Sequence, residues 1–212
     1  MTHDIVDQIA GVTPELDALR RRRPVTREQL QASFAALFQP VSVEHVSQEE
    51  RELIAAFATS LAGRSDETAA FYADRAQRAD AQRATVVLAE AAAAATSGPF
   101  GAYTELGLQE ENTEGERYAP SDAVTAALGD RLAAALAHTH LLVLRPREAS
   151  GADLGRLLDA GWSADGIVTL SQLVSFLAFQ QRVVTGLRVL AAAGFAAAST
   201  SVSESDAEEE AA

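Results

Sequence analysis

The chain has 212 residues, no cysteine, and 17 basic against 30 acidic side chains, for a formal net charge of −13. That balance excludes nucleic acid and anionic membrane surfaces as principal partners, and the missing thiols exclude a disulfide framework and any thiolate metal site. Hydrophobic residues make up 48% with only 6% aromatic, a small-residue composition that suits closely packed helices in an all-α fold better than a sheet of branched side chains.

The length fits a single well-buried domain. The first residues, MTHDIVDQ, lack the charged-then-apolar plan of a signal peptide, and no uninterrupted apolar run reaches membrane-spanning length. A cytoplasmic protein without a membrane anchor is the expectation. Residues 1–44 read as a helical arm, with helices over Asp4–Ile9, Pro14–Arg22 and Thr26–Phe38. The run Arg20–Arg23 is either a basic patch or a solvated helix end whose cations complement the C-terminal dipole.

Ser47 followed by Glu50 is a capping-box signature. Leu53, Ile54, Phe57 and Leu61 then mark a buried stripe at helical spacing. A second helix is expected from about Ser65 through Phe71, Tyr72 and Val86–Leu88 to the alanine tract ending near Ala95. Residues 96–120 change character: glycines, prolines and carboxylates form a long connection, and its aromatics Phe100, Tyr103 and Tyr118 either cover a pocket or pin a surface insertion. Helix resumes from Ser121 to Leu144, LLVL at 141–144 being too short a strand-like run to found a sheet.

Asp153–Ala160 is expected to be a helix closed by Gly161. Ser163 caps the strongest helix of the chain, with Trp162 and Ile167 placed as a hydrophobic staple. Ile167, Leu170, Val174, Leu177, Val184 and Ala191 form one apolar face, and Leu173, Phe176, Phe179, Val183 and Leu190 a second. A helix apolar on two sides is expected in the core and at a subunit contact, so self-association as a homodimer or larger ring is anticipated. The alanine-, serine- and glutamate-rich tail at 194–212 is expected to be disordered.

The stretch ERELIAAFATSLAGRSDETAAF, Glu50–Phe71, resembles the redox helix of the carboxymuconolactone decarboxylase and alkylhydroperoxidase D-like superfamily. Glu52 fills the family's glutamate position and Gly63 the glycine before the first cysteine; the two cysteine positions fall on Arg64 and Glu67 and the histidine position on Phe71. Leu157–Leu190 resembles that fold's long C-terminal helix. The resemblance covers roughly residues 45–95 and 126–192, and implies an AhpD-like multi-helix domain over 45–193 with two related halves, the 96–120 loop being inserted. It also implies homo-oligomers.

In the family the cysteines reduce peroxides while the glutamate and histidine relay protons. Neither guanidinium nor carboxylate can replace a thiolate, so thiol peroxidase activity is expected to be absent. Arg64 and Glu67, three apart, are placed to form an ion pair where a disulfide would sit. Glu52 is either a buried base, with Arg64 as its expected partner, or an exposed first-turn glutamate that favours the helix dipole. His138 and His140 are the acid–base candidates beside it; two apart on a helix, they point to opposite sides and cannot chelate one metal. No cofactor or metal motif is present. Two functions follow: a non-thiol homologue binding a small molecule or partner, or a lyase-like enzyme using Glu52 with His138 or His140. The loop is expected to close over a cavity between the halves through Tyr103 or Phe100.

Overall fold

A computed structural model describes residues 4–61 and 67–193, and among them the protein is all-helical: ten α-helices, two 3₁₀ turns, and one isolated antiparallel bridge between Gly101 and Thr113. Arg64 and the acidic tail lie outside the described residues. Helix α1 (Ile5–Ala10) is capped by Asp4, whose carboxylate accepts from the Val6 and Asp7 amides. Helix α2 (Pro14–Arg21) is capped by Thr13. Helix α3 (Pro24–Phe38) starts two residues before the expected Thr26, because a proline is well tolerated in a first turn. Arg20 pairs with Asp4 and Asp7, and Arg27 with Asp4, Asp7 and Asp17. The run of arginines is therefore in part a buried clamp between helices, with Arg21 and its neighbours left in solvent.

Helix α4 (Gln48–Ser60) carries the expected capping box: Ser47 Oγ accepts from the Glu50 amide at 3.1 Å, and Glu50 accepts from the Ser47 amide at 2.8 Å. The helix expected from Ser65 to Ala95 is two, α5 (Glu67–Ala79) and α6 (Ala81–Ala94). Asp80 divides them: it is extended and its carboxylate caps α6 through the Arg83 amide. The stretch 121–144 divides likewise, into α7 (Asp122–Leu128) and α8 (Asp130–Leu144), at Gly129 with φ +83°. LLVL is the last turn of α8.

Helix α9 (Gly151–Asp159) ends as the sequence predicts. Gly161 has φ +88° and donates to the Leu158 carbonyl while Trp162 donates to that of Leu157, the two bonds of a Schellman motif. Ser163 caps α10 (Ala164–Ala192), and Trp162 and Ile167 are both buried.

Helix α4 is the centre of the packing; every residue from Arg51 to Thr59 is buried, against α5, α6, α8 and α10. The arm expected at 1–44 is part of the same core, since Ile5, Val6 and Ile9 are buried and α1 lies on α10 and α5. Among the described residues α10 alone is long and apolar enough to cross a membrane by length and composition, but Leu170, Leu173, Val174, Leu177 and Val184 place it in the protein core. Of its second apolar face, Leu173 and Phe176 are buried inside the chain, Val183 and Leu190 are half-buried, and Phe179 is exposed.

Candidate functional site

Glu52 sits in the second turn of α4, and only 4% of it reaches solvent. A buried carboxylate needs a partner, and it has two. Arg75 of α5 grips it with both sides of the guanidinium, Nε meeting Oε2 at 2.7 Å and a terminal nitrogen meeting Oε1, and Gln48 donates to Oε1 at 2.5 Å. Arg75 in turn lies over the rings of Phe34, Phe38 and Phe71, 5.2–5.6 Å from their centroids. Burial pulls the Arg75 pKa down; the hydrogen bond and charge of Glu52 outweigh it and leave the group raised. The cation beside Glu52 is Arg75, contributed across the α4–α5 contact, where the sequence reading names Arg64, which lies outside the described residues.

Phe71 is one wall of this aromatic cage and meets Tyr72 edge-on at 5.1 Å. Glu67, at the second cysteine position, pairs with Arg188 of α10 at 2.5 Å. Tyr72 is fully buried and donates to Gln180 Oε1 at 2.6 Å. The Glu52 surroundings are sealed by side chains already committed to one another.

The two histidines of α8 are both buried and part company. His138 has no hydrogen-bond partner on either ring nitrogen. Burial lowers its pKa, the charge of Asp153 opposes the shift, and that of Arg156 adds to it. His140 stacks on Tyr118, with centroids 5.6 Å apart, and its pKa is lowered by burial and then by the charge of Arg145.

His140 belongs to a cleft of about 570 Å³ between the end of α6 and α8, walled by residues 115–119 and Phe100. Tyr118 is its pivot. One side of the ring meets Phe57 at 5.3 Å, another meets His140, and its hydroxyl donates to Glu90 Oε2 at 2.8 Å. Burial, then the hydrogen bond and charge of Glu90, push the Tyr118 pKa up, so the phenol stays protonated. At neutral pH the cleft therefore presents a neutral imidazole, a phenol bound to a carboxylate, the Thr96 hydroxyl, the aromatic face of Phe100, and the charged residues Glu116 and Arg117. Glu52, His138 and Tyr103 do not line it.

The loop wall is a built structure. Glu148 accepts from Arg145 at 2.7 and 2.8 Å, from Arg117 at 2.6 Å and from the Ala102 amide at 3.3 Å; Arg145 also reaches the Gly115 carbonyl at 2.6 Å. The Arg145 hydrogen bond is the chief cause holding the Glu148 carboxyl below its ordinary range. Phe100 packs onto Gly115 so closely that a Cβ there would lie 2.3 Å from its ring. Tyr103 instead lies under the Arg147 guanidinium, 4.1 Å from its carbon. Of the loop aromatics, Phe100 and Tyr118 face the cleft and Tyr103 pins the loop outside it.

A row of Ser163, His45 and Asp165 at the start of α10, with gaps of 3.1 and 3.6 Å, has the residue types of a nucleophilic triad. Ser163 Oγ is committed as the cap accepting from the Gly166 amide, and Asp165 stands in solvent, so the row serves the helix end. No family model matches the chain, and neither a curated protein nor a solved structure matches it. Its fold and its cleft are what define it. Sequence reasoning misses Glu90, although a lone carboxylate inside the run VVLAEAAAAA is a visible signal.

Proposed function

We propose that this chain is a cysteine-less relative of the carboxymuconolactone decarboxylase and alkylhydroperoxidase D-like proteins that binds a small organic molecule in the His140–Tyr118–Glu90 cleft, in the cytoplasm and without thiol redox chemistry. The observation that carries the reading is the cleft itself. Its volume of about 570 Å³ lies within the 300–1,000 Å³ usual for small-molecule sites, and its wall sets the polar groups of Glu90, Thr96, Glu116, Arg117, Tyr118 and His140 beside Phe100 and the alanines at the end of α6. Glu52, the family landmark retained, supports the relationship by its burial; its carboxylate is occupied by Arg75 and Gln48.

A fragment screen read by thermal shift tests the reading. Hits should stabilise the wild type and be lost on Ala93→Trp, which fills the cleft from α6, while Val25→Ala on α3 leaves them unchanged. Hits indifferent to Ala93→Trp overturn the assignment. Peroxide turnover with a dithiol reductant should match the buffer blank, because the chain has no cysteine thiolate to cycle through sulfenic acid and disulfide.

A second reading follows from the geometry. The His140 and Tyr118 rings, 5.6 Å apart, both line the cleft, an imidazole and a phenol placed to take up and give a proton, and a positioned acid or base contributes typically about 10²–10⁴-fold. It replaces Glu52 by Glu90 and Tyr118 as the partners of His140. Turnover of a screened ligand that survives His140→Gln together with Tyr118→Phe would reject this pair as its acid and base, and no turnover of any ligand would leave binding alone.

A further inference from the structure

Resting on the reading of the His140–Tyr118–Glu90 cleft as a small-molecule site, we propose that its ligand is an organic ammonium, a small amine with an apolar or aromatic body, and that Glu90 and Glu116 are the counter-charges. The cleft wall holds these two carboxylates and one guanidinium, Arg117. They differ in what they already have. Among the described residues, Glu90 has one donor, the Tyr118 hydroxyl at 2.8 Å from Oε2, which leaves Oε1 open and no cation beside it. Glu116 is exposed, and its side chain has neither a hydrogen bond nor an ion pair among the described residues.

Arg117, by contrast, is paired with Glu148 at 2.6 Å. Arg145, which holds the Gly115 carbonyl of the wall, bonds the same Glu148 and is also attracted by the charge of Glu114. The two guanidiniums are matched by carboxylates of their own. The charge left over at the cleft is therefore negative.

The uncharged part of the wall suits the body of such a ligand. Phe100 and the alanines at the end of α6 offer apolar surface, and a cation within about 6 Å of an aromatic centroid is attracted to the ring face. His140 would oppose a cation if it took up a proton; burial first, and then the charge of Arg145, hold its pKa below the ordinary range, and it stays neutral. A bare metal ion is a poorer match. Among the described residues no three His, Asp or Glu side chains gather to hold one, and it would leave the apolar wall uncovered. An anionic ligand would meet Glu90 and Glu116 with no cation to spare, in a chain whose net charge of −13 draws cations and repels anions from a distance.

Three probes of one shape test the charge: 2-phenylethylammonium, 2-phenylethanol and 3-phenylpropanoate, each titrated calorimetrically into the full chain at neutral pH. The ammonium should bind about tenfold more tightly than the alcohol, the worth of a hydrogen bond to a charged group, and the propanoate should bind most weakly. Glu90→Gln keeps an oxygen for Tyr118 and removes the charge, so it should cost the ammonium about tenfold and the alcohol less than about twofold. Glu116→Gln, on an exposed side chain, should cost the ammonium about two- to threefold. Glu28→Gln removes the same charge from an exposed position on α3 and should change nothing. Ala93→Trp should abolish binding of all three.

Equal or tighter binding of the alcohol or the propanoate, lost on Ala93→Trp, overturns the ammonium proposal while the cleft stands as a site for another class of ligand. Ammonium binding that ignores Ala93→Trp overturns the cleft and this proposal together. A preference for the ammonium that survives Glu90→Gln combined with Glu116→Gln, or that falls as far on Glu28→Gln, overturns the counter-charges. If none of the three binds at millimolar concentration the ammonium proposal is overturned as well, and the fragment screen still decides the cleft.

Discussion

Glu52 and Glu90 are two carboxylates on neighbouring helices with opposite fates. Glu52 is gripped by an amide and by a guanidinium that itself lies over three aromatic rings. Glu90 has a single phenol donor and opens onto a cleft. A carboxylate whose hydrogen-bonding capacity is filled inside the fold contributes structure, whereas one with capacity to spare at a cavity wall can meet a ligand. The carboxylate at the position the sequence resemblance marks is bonded within the fold, and the cleft lies on a different pair of helices.

The largest expected effect lies on the sealed side. Arg75→Ala leaves a buried charge without its partner and should destabilise the fold by about 3–5 kcal/mol in chemical denaturation. Glu52→Gln should cost less, since Arg75 is 25% exposed and keeps its three rings. If Arg75→Ala cost no more than a surface substitution, the distinction between a sealed and an open site would collapse.

A gain is expected at His138. Its two buried ring nitrogens make no hydrogen bond, and an unsatisfied buried polar group costs about 1–3 kcal/mol, so His138→Leu should stabilise the protein by a comparable amount. The pH dependence sharpens the test. Burial holds the folded-state pKa of His138 and His140 below the ordinary 6.5. As pH falls through 6.5 the unfolded chain binds protons first, so stability declines; above that value the contribution is present in full. His138→Leu should flatten this decline by removing one of the two groups, and an unchanged slope would show that His138 is not one of them.

Smaller effects belong to the open side. Tyr118→Phe removes one hydrogen bond and should cost about 1 kcal/mol of stability, while weakening cleft ligands more than it weakens the fold. Least of all is expected at Arg117, which shares Glu148 with Arg145 but is 67% exposed. Arg117→Ala should change stability by less than about 0.5 kcal/mol, and a larger loss would make the loop wall depend on its outer ion pair.

What is legible in the sequence is local. The capping box at Ser47, the Gly161 turn and the apolar period of α10 are all fixed by residues within a few positions of one another, and each is present. The breaks at Asp80 and Gly129 are hidden because the flanking residues are good helix formers, so that helix propensity masks a cap and a positive φ. The partner of Glu52 escapes because Arg75 lies 23 residues away and arrives only when α5 packs on α4. Tyr118 and Tyr103 look alike in sequence; which one faces the cleft depends on where the arginines of the α8–α9 connection fall.

The contact of α1 with α10 has a consequence for how the molecule is made. Ile5, Val6 and Ile9 leave the ribosome well before α10, the helix that covers them. At ordinary synthesis rates that interval is on the order of ten to thirty seconds, during which an apolar helix face waits uncovered. The clamp of Asp4, Asp7 and Asp17 with Arg20 and Arg27 is complete by residue 27, so α1, α2 and α3 can hold one another in register until α10 arrives to cover them.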